Sequence, residues 1–285
     1  MKHIAGFSGG IDSQALARWL RNRYAPEDVI LLNSDAGGNE HPMTKEFIEQ
    51  YSKTQHPVVM LSAIVADLGG RGTRPGATKD RRDEFGDDAP LTFDRLAYIK
   101  DIFPSRMKQF CTEHLKLYPQ MRWIKENIIA NGIEYTRYAG VRREESINRR
   151  DKMPVEWDDF FGVPLHHPLV DWTKQMCFDY VKYHNEEINQ LYTLGFGRVG
   201  CAPCVNSKKD DVLAWATRFP EMIDKVRAWE KRLGKTFFMP LVPGLEINWI
   251  DDVVAWSKTA RGGRQPLFPI LHERPSCESD YGLCE

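Results

Sequence analysis

Two groupings of residues in this chain are suited to chemistry. The first is "SGGIDS" at positions 8–13, where two glycines, an aspartate and two serines lie between a short apolar run and a helical pattern. Gly9 and Gly10 open backbone conformations closed to other residues, so several N–H groups can turn inward while the next helix aims its positive end at the same point. Such a turn is a cradle for phosphate or pyrophosphate. Ser8 and Ser13 add hydroxyl donors, and Asp12 is placed to orient the loop or to help hold Mg2+.

The second grouping is the cysteines. Cys201 and Cys204 form a C-x-x-C knuckle, Cys277 and Cys284 form a pair near the end of the chain, and Cys111 stands alone. Paired thiolates of this kind approach one metal ion or cluster. The remaining cysteine, Cys177 in "KQMCFDYVKYH", reads as a small buried hydrophobe. His166 and His167 lack metal-type spacing and read as packing or hydrogen-bonding groups.

The surrounding elements follow from hydrophobic periodicity. Ile4 to Phe7 and "DVILLNSD" (28–35) are buried-strand patterns, and between them Leu16, Trp19 and Leu20 share one helical face. Pro42 suits the first turn of a helix, "PVVML" (57–61) is a third strand, a helix spans His114 to Asn131 up to Gly132, and "IEYTRYAGVR" (133–142) is a fourth strand. This alternation predicts an α/β fold, a doubly wound and mainly parallel sheet whose ligands sit beyond the carboxyl ends of the strands. After Val170 the pattern is mostly helical, at about 173–185, 207–218, 220–233 and 248–260. The expected division is therefore a nucleotide-binding α/β domain over 1–170 and a helical, cysteine-bearing region over 171–285. The polar stretch from Gly69 to Pro90 predicts a long mobile loop, either a solvated insertion or a lid or nucleic-acid contact through Arg71, Arg74, Arg81 and Arg82.

At 285 residues, with 42% hydrophobic and 28% charged residues, the chain has the composition of a soluble globular protein. Its net charge of −1 argues against coating nucleic acid by bulk electrostatics. The apolar run after Met1 is too short for a secretory or membrane-spanning segment, so a cytoplasmic location without membrane contact is expected, and six cysteines there read as metal ligands or reactive thiols. No Gly-Lys-Ser/Thr ending follows the first loop. "GFGRVG" (195–200) has dinucleotide-type spacing but runs into Cys-Ala-Pro-Cys rather than a helix.

"SGGIDS" resembles the pyrophosphate loop of the ATP pyrophosphatase superfamily. "NSDAGGNEHPMT" (33–44), "FCTEHLKLYP" (110–119), "GVRREES" (140–146), "PLVDWT" (168–173) and "LYTLGFGRVGCAPC" (192–204) resemble, in the same order, elements of its phosphoadenosine phosphosulfate reductase branch. The resemblance implies an ATP-type adenosine nucleotide with Mg2+, bound by Ser8, Gly9, Gly10, Asp12, Ser13, Asp35, Gly37, Gly140 and Arg142. It also implies catalytic parts for Asp12, Arg142 and Lys116, the last two as phosphate contacts. Cys111 is implied to join the Cys201 pair, with four of Cys111, Cys201, Cys204, Cys277 and Cys284 binding a [4Fe–4S] cluster, or zinc as the alternative. If only Cys111, Cys201 and Cys204 bind, one iron is left open to carry sulfide.

Sulfonucleotide reductases usually carry a degraded first loop and a terminal Glu-Cys-Gly-x-His element. Here the loop is intact and the chain ends "CESDYGLCE". The motifs are most similar to sulfurtransferases of DNA phosphorothioation. That likeness implies adenylylation of an oxygen nucleophile, release of pyrophosphate, and displacement of AMP by sulfur. Reduction of a sulfonucleotide to sulfite, and an accessory module that binds nucleotide without turnover, are the alternatives. A nucleic-acid acceptor and a sulfur-donor protein are the partners implied, whereas the oligomeric state is not fixed by any motif.

Overall fold

The computed structural model describes residues 1–68, 77–239 and 247–259. Six strands form one sheet in the order β3-β2-β1-β4-β6-β5, with β1 at Lys2–Gly6, β2 at Val29–Ser34, β3 at Val58–Leu61, β4 at Tyr135–Tyr138, β5 at Val155–Asp158 and β6 at Val163–His166. All pairings are parallel except β5 with β6. The mainly parallel α/β sheet expected from the sequence is therefore present, and the β5–β6 hairpin adds an edge that the sequence reading did not include.

Apolar side chains on both faces explain why the central strands are continuous hydrophobic runs. On one face Ala5, Phe7 and Leu31 pack with α1 (Ile11–Arg21), α2 (Pro42–Thr54) and α7 (Lys174–Tyr183), and Cys177 is fully buried there. On the other face Ile4, Leu32 and Leu61 meet Leu117, Ile124 and Ile128 from the helical stretch after residue 110. That stretch is wound as α5 (Phe110–Thr112), a π-helical turn (Glu113–Leu117) and α6 (Tyr118–Asn127), and Gly132 lies just beyond it with φ of 66°.

A third core is built from α4 (Phe93–Lys100), α8 (Gln190–Thr193), α9 (Lys209–Arg218), α10 (Pro220–Leu233) and α11 (Ile250–Ser257). Phe93, Leu96, Phe103, Trp215, Val226 and Phe237 are among its buried members. No described helix is long and apolar enough to cross a membrane.

The expected 69–90 loop is partly helical, with α3 at Ala77–Asp83. Arg81 bonds Asp101 at 2.7 Å and Arg82 bonds Asp87 at 2.8 Å, so both arginines are engaged within the fold. Arg71 and Arg74 lie outside the described residues.

The carboxyl ends of β1 and β4 lie side by side, and the chain leaves both through glycines. At Gly9 φ is +76°, a left-handed conformation that disfavours a side chain. Gly140 matters for space instead: a Cβ there would stand 2.9 Å from the carbonyl oxygen of Asp12 in α1. Gly140→Ala is expected to push β4 away from the first turn of α1 and cost about 1–3 kcal/mol, read as a lower urea midpoint with an unchanged slope.

Candidate functional site

The turn between β1 and α1 is held by its own serines. Ser13 Oγ accepts the Ser8 N–H and the Ser8 hydroxyl, both at 3.2 Å, and donates to the Gly10 carbonyl at 2.9 Å. Ser8 Oγ accepts the Gly10 N–H at 3.4 Å, and the Ile11 N–H donates to the Tyr192 hydroxyl at 2.9 Å. The amides that the sequence directs at an anion thus point at neutral hydroxyls. A phosphate oxygen is the stronger acceptor, because charge-assisted hydrogen bonds are roughly twice as strong as neutral ones.

Asp12 sits in the first turn of α1 and is fully buried. Its Oδ2 accepts Nε of Arg142 at 2.6 Å, and Arg142 is itself buried. This pair fixes the loop against the segment after β4, so the carboxylate acts first as the anchor of the guanidinium. Arg142 Nη1 lies 3.7 Å from Glu144 at the rim of a cavity of about 180 Å3. Ile11, Lys174, Tyr192, Arg198 and Lys208 also line that cavity. Two further arginines after β4 are engaged in ion pairs, Arg149 with Glu145 and Arg143 with Asp171.

Asp35 follows β2, where its carboxylate accepts the Gly38 N–H at 3.0 Å and pairs with Lys45 at 3.3 Å. The Gly37 carbonyl accepts the Phe93 N–H at 2.9 Å, which seats this turn on the start of α4. Gly38, Glu40, Lys45, Met222 and Lys225 line a second, more open cavity of about 510 Å3.

The same post-β2 turn carries the cysteine segment. The Asn39 carbonyl accepts the Ala202 N–H at 2.9 Å, Asn39 Nδ2 donates to the Pro203 carbonyl at 3.0 Å, and Glu40 forms a β-bridge with Cys201. Cys201 and Cys204 share a thiol hydrogen bond, and Cys111 lies close enough to both to interact electrostatically. Lys116 is buried in this group. The sequence reading makes Lys116 a phosphate contact; in the structure its electrostatic neighbours are the three thiols and Glu40.

Charge in this group has a definite distribution. Burial opposes the Lys116 ammonium, but Cys201, Glu40, Cys111 and Cys204 outweigh it and hold its pKa above the usual lysine value. The hydrogen bond from Cys201 draws the Cys204 thiol down to about 6 against burial, helped by Arg198 and the Asn206 N–H, which donates to Cys204 Sγ at 3.4 Å. The same bond, followed by burial, holds the Cys201 proton well above the usual range. Burial pushes Cys111 up to about 12 and Glu40 up to about 8. Charge in the group is therefore favoured on Lys116 and Cys204 and disfavoured on Cys201, Cys111 and Glu40. Glu40 Oε2 has no hydrogen-bond partner among the described residues, a cost that a neutral acid tolerates better than a carboxylate.

Three sulfur donors from two distant segments form a donor set suited to a thiophilic metal or an iron–sulfur cluster. Among the described residues, no three His, Cys, Asp or Glu side chains are already arranged to hold a single ion. Cys277 and Cys284 lie outside the described residues. The structure brings the loop together with Arg142, and Cys111 together with Cys201 and Cys204; Glu40 and Tyr192, which the sequence reading did not single out, stand beside them. Both lie inside motif stretches, 33–44 and 192–204, but their partners, Cys201 and the Ile11 N–H, are distant in sequence.

Residues 94–207 match the phosphoadenosine phosphosulfate reductase domain. An uncharacterized 37.8 kDa protein from the gpa 5' region of Escherichia phage 186 is 26% identical over 332 aligned positions, covering 99% of this chain and 96% of that protein. The adenosine 5'-phosphosulfate reductase of Allochromatium vinosum is 32% identical over 68 residues, which span 24% of this chain and 27% of the reductase. Among solved structures, phosphoadenylyl-sulfate reductase from Candida auris, in a phosphate complex, aligns with a TM-score of 0.48 at 15% identity, covering 72% of this chain and 83% of that one.

The neutral Glu40 sets a pH dependence. Below the ordinary carboxyl pKa, folded and unfolded chains both keep the proton and the group costs nothing. As pH rises toward 8 the unfolded chain releases it while the folded chain retains it, so stability declines across that window. Glu40→Gln is expected to gain roughly 1–3 kcal/mol over the parent near pH 8 and nothing near pH 4, measured by denaturant unfolding of metal-free protein at several pH values.

Proposed function

We propose that this chain, which carries a phosphoadenosine phosphosulfate reductase domain, is an adenosine-nucleotide enzyme of sulfur transfer. In this reading it cleaves ATP between the α- and β-phosphates, places AMP on an oxygen acceptor and lets sulfur displace the AMP. The observation that carries the reading is the intact loop locked by the Asp12–Arg142 pair and opening on a cavity whose wall includes Arg198, a neighbour of the Cys201–Cys204 thiols.

The chain's own residues support each part of that chemistry. When pyrophosphate leaves, charge grows on its bridging oxygen, and the N–H groups of the turn and the start of α1 would stabilise it as they exchange neutral hydroxyl partners for phosphate oxygens. Arg142, fixed by Asp12, lines the cavity, where the α-phosphate or the acceptor would lie. Asp35, held by Lys45 and Gly38, lies at the end of β2, where the ribose or a phosphate-bound Mg2+ would be met. Cys111, Cys201 and Cys204, joined by Cys277 or Cys284, would hold a [4Fe–4S] cluster, which supplies a site for sulfur or electrons. Lys116 offsets thiolate charge there, and Glu40 keeps a proton beside it. A nucleic acid would be one acceptor with a suitable oxygen, and a separate protein would donate the sulfur.

A second reading, reduction of a sulfonucleotide to sulfite, draws on the short alignment with adenosine 5'-phosphosulfate reductases. Labelled ATP offered with candidate acceptors, against adenylyl sulfate with a thiol reductant, separates the two. Acceptor-dependent release of pyrophosphate is expected; sulfite formed without ATP cleavage would replace the proposal with the reductase reading. Arg142→Met should lower pyrophosphate release about 100- to 1,000-fold while metal content is kept.

Anaerobically purified protein should be brown and contain about four irons per chain. Cys204→Ser should lose the iron and retain nucleotide binding. Zinc alone after iron reconstitution would sink the cluster assignment.

A further inference from the structure

The start of α1 lacks a cap of its own. Its N-cap residue is Gly10, which has no side chain to accept an amide, and the acceptor comes instead from 181 positions along the chain, as the Tyr192 hydroxyl on the Ile11 N–H. The phenol is held in place from several directions. Its ring meets Phe178 edge-on at 5.1 Å between centroids, and Lys174 Nζ lies 5.3 Å from its centroid. Asn189 Oδ1 caps α8 at the Leu191 N–H at 3.0 Å, and Leu191 is fully buried. Ile11, Tyr192 and Arg142 line the same cavity. The amide best placed to meet an anion at the helix start is thus already paired with a neutral oxygen that belongs to the cavity wall.

We propose that Tyr192 competes with the anion for the first amide of α1 and thereby limits how tightly the loop retains pyrophosphate. The inference rests on the reading of the loop as a diphosphate site. While ATP is whole, its adenosine half helps hold the chain of phosphates, and the charged oxygens displace the phenol. Once the bond between the α- and β-phosphates is broken, pyrophosphate has lost that second anchor. The phenol then recovers the Ile11 N–H, and the product leaves. A residue that a bound anion must displace weakens apparent affinity by the fraction of time it occupies the site. One neutral hydrogen bond sets the scale at about two- to tenfold.

Titration of the full chain with inorganic pyrophosphate by calorimetry, for the parent and for Tyr192→Phe, tests this. The variant keeps the ring and removes only the competing oxygen. It should bind pyrophosphate about two- to tenfold tighter, and pyrophosphate should raise its melting temperature by more than it raises the parent's. Detectable binding in the variant alone also supports the inference. Equal or weaker binding by the variant, with the parent binding normally, would overturn the inference and leave the loop reading standing. Binding by neither protein would overturn both.

Discussion

The ion pair between Asp12 and Arg142 is the constraint on which the site depends. Two buried charges 2.6 Å apart join the first turn of α1 to the segment leaving β4, elements separated by 130 positions in sequence. Removing water from both groups is costly, and such pairs often add little net stability over an apolar substitute. Their geometric effect is different, since either charge alone in that interior would be far less favourable than the pair. The loop, the end of β4 and the cavity rim are therefore fixed relative to one another. Gly140 allows the approach by leaving room for the Asp12 carbonyl.

A second set of contacts brings the thiols to the same end of the sheet. The post-β2 turn binds the Cys201–Cys204 segment through the backbone and side chain of Asn39 and the bridge from Glu40 to Cys201. The glycine turn and the thiols thus lie around adjacent strands, with Arg198 shared between the cavity wall and the thiol environment. Such a site lies where parallel sheets place ligands, beyond the carboxyl ends of their strands.

Local patterns in the sequence were enough to find β1, α1, β2 and the glycine turn between the first two, because continuous apolar runs and paired glycines act over a few residues. The π-turn region and β4 were also legible, from helical periodicity stopped by a glycine and followed by a strand pattern. The β5–β6 hairpin was not. Its strands are four residues each, and Val155 and Trp157 are exposed, so no buried alternation marks it. Helix α3, "ATKDRRD", is almost wholly polar and offers no hydrophobic stripe. The position of Lys116 depends on contacts among segments 40, 111, 116 and 201, and only the folded chain brings these together.

The winding of the 110–127 stretch decides which side chains can meet. In a regular α-helix, residues five apart point about 140° away from each other. The wider i→i+5 turn at Glu113–Leu117 rotates them toward a common side, which lets Cys111 and Lys116 serve one polar interior. The extra residue in that turn works as a phase correction between two otherwise ordinary helical pieces. Excising it would put the helix back into standard phase, swing the lysine toward the neighbouring apolar layer, and uncouple the sulfur group from its only fully enclosed cation among the described residues.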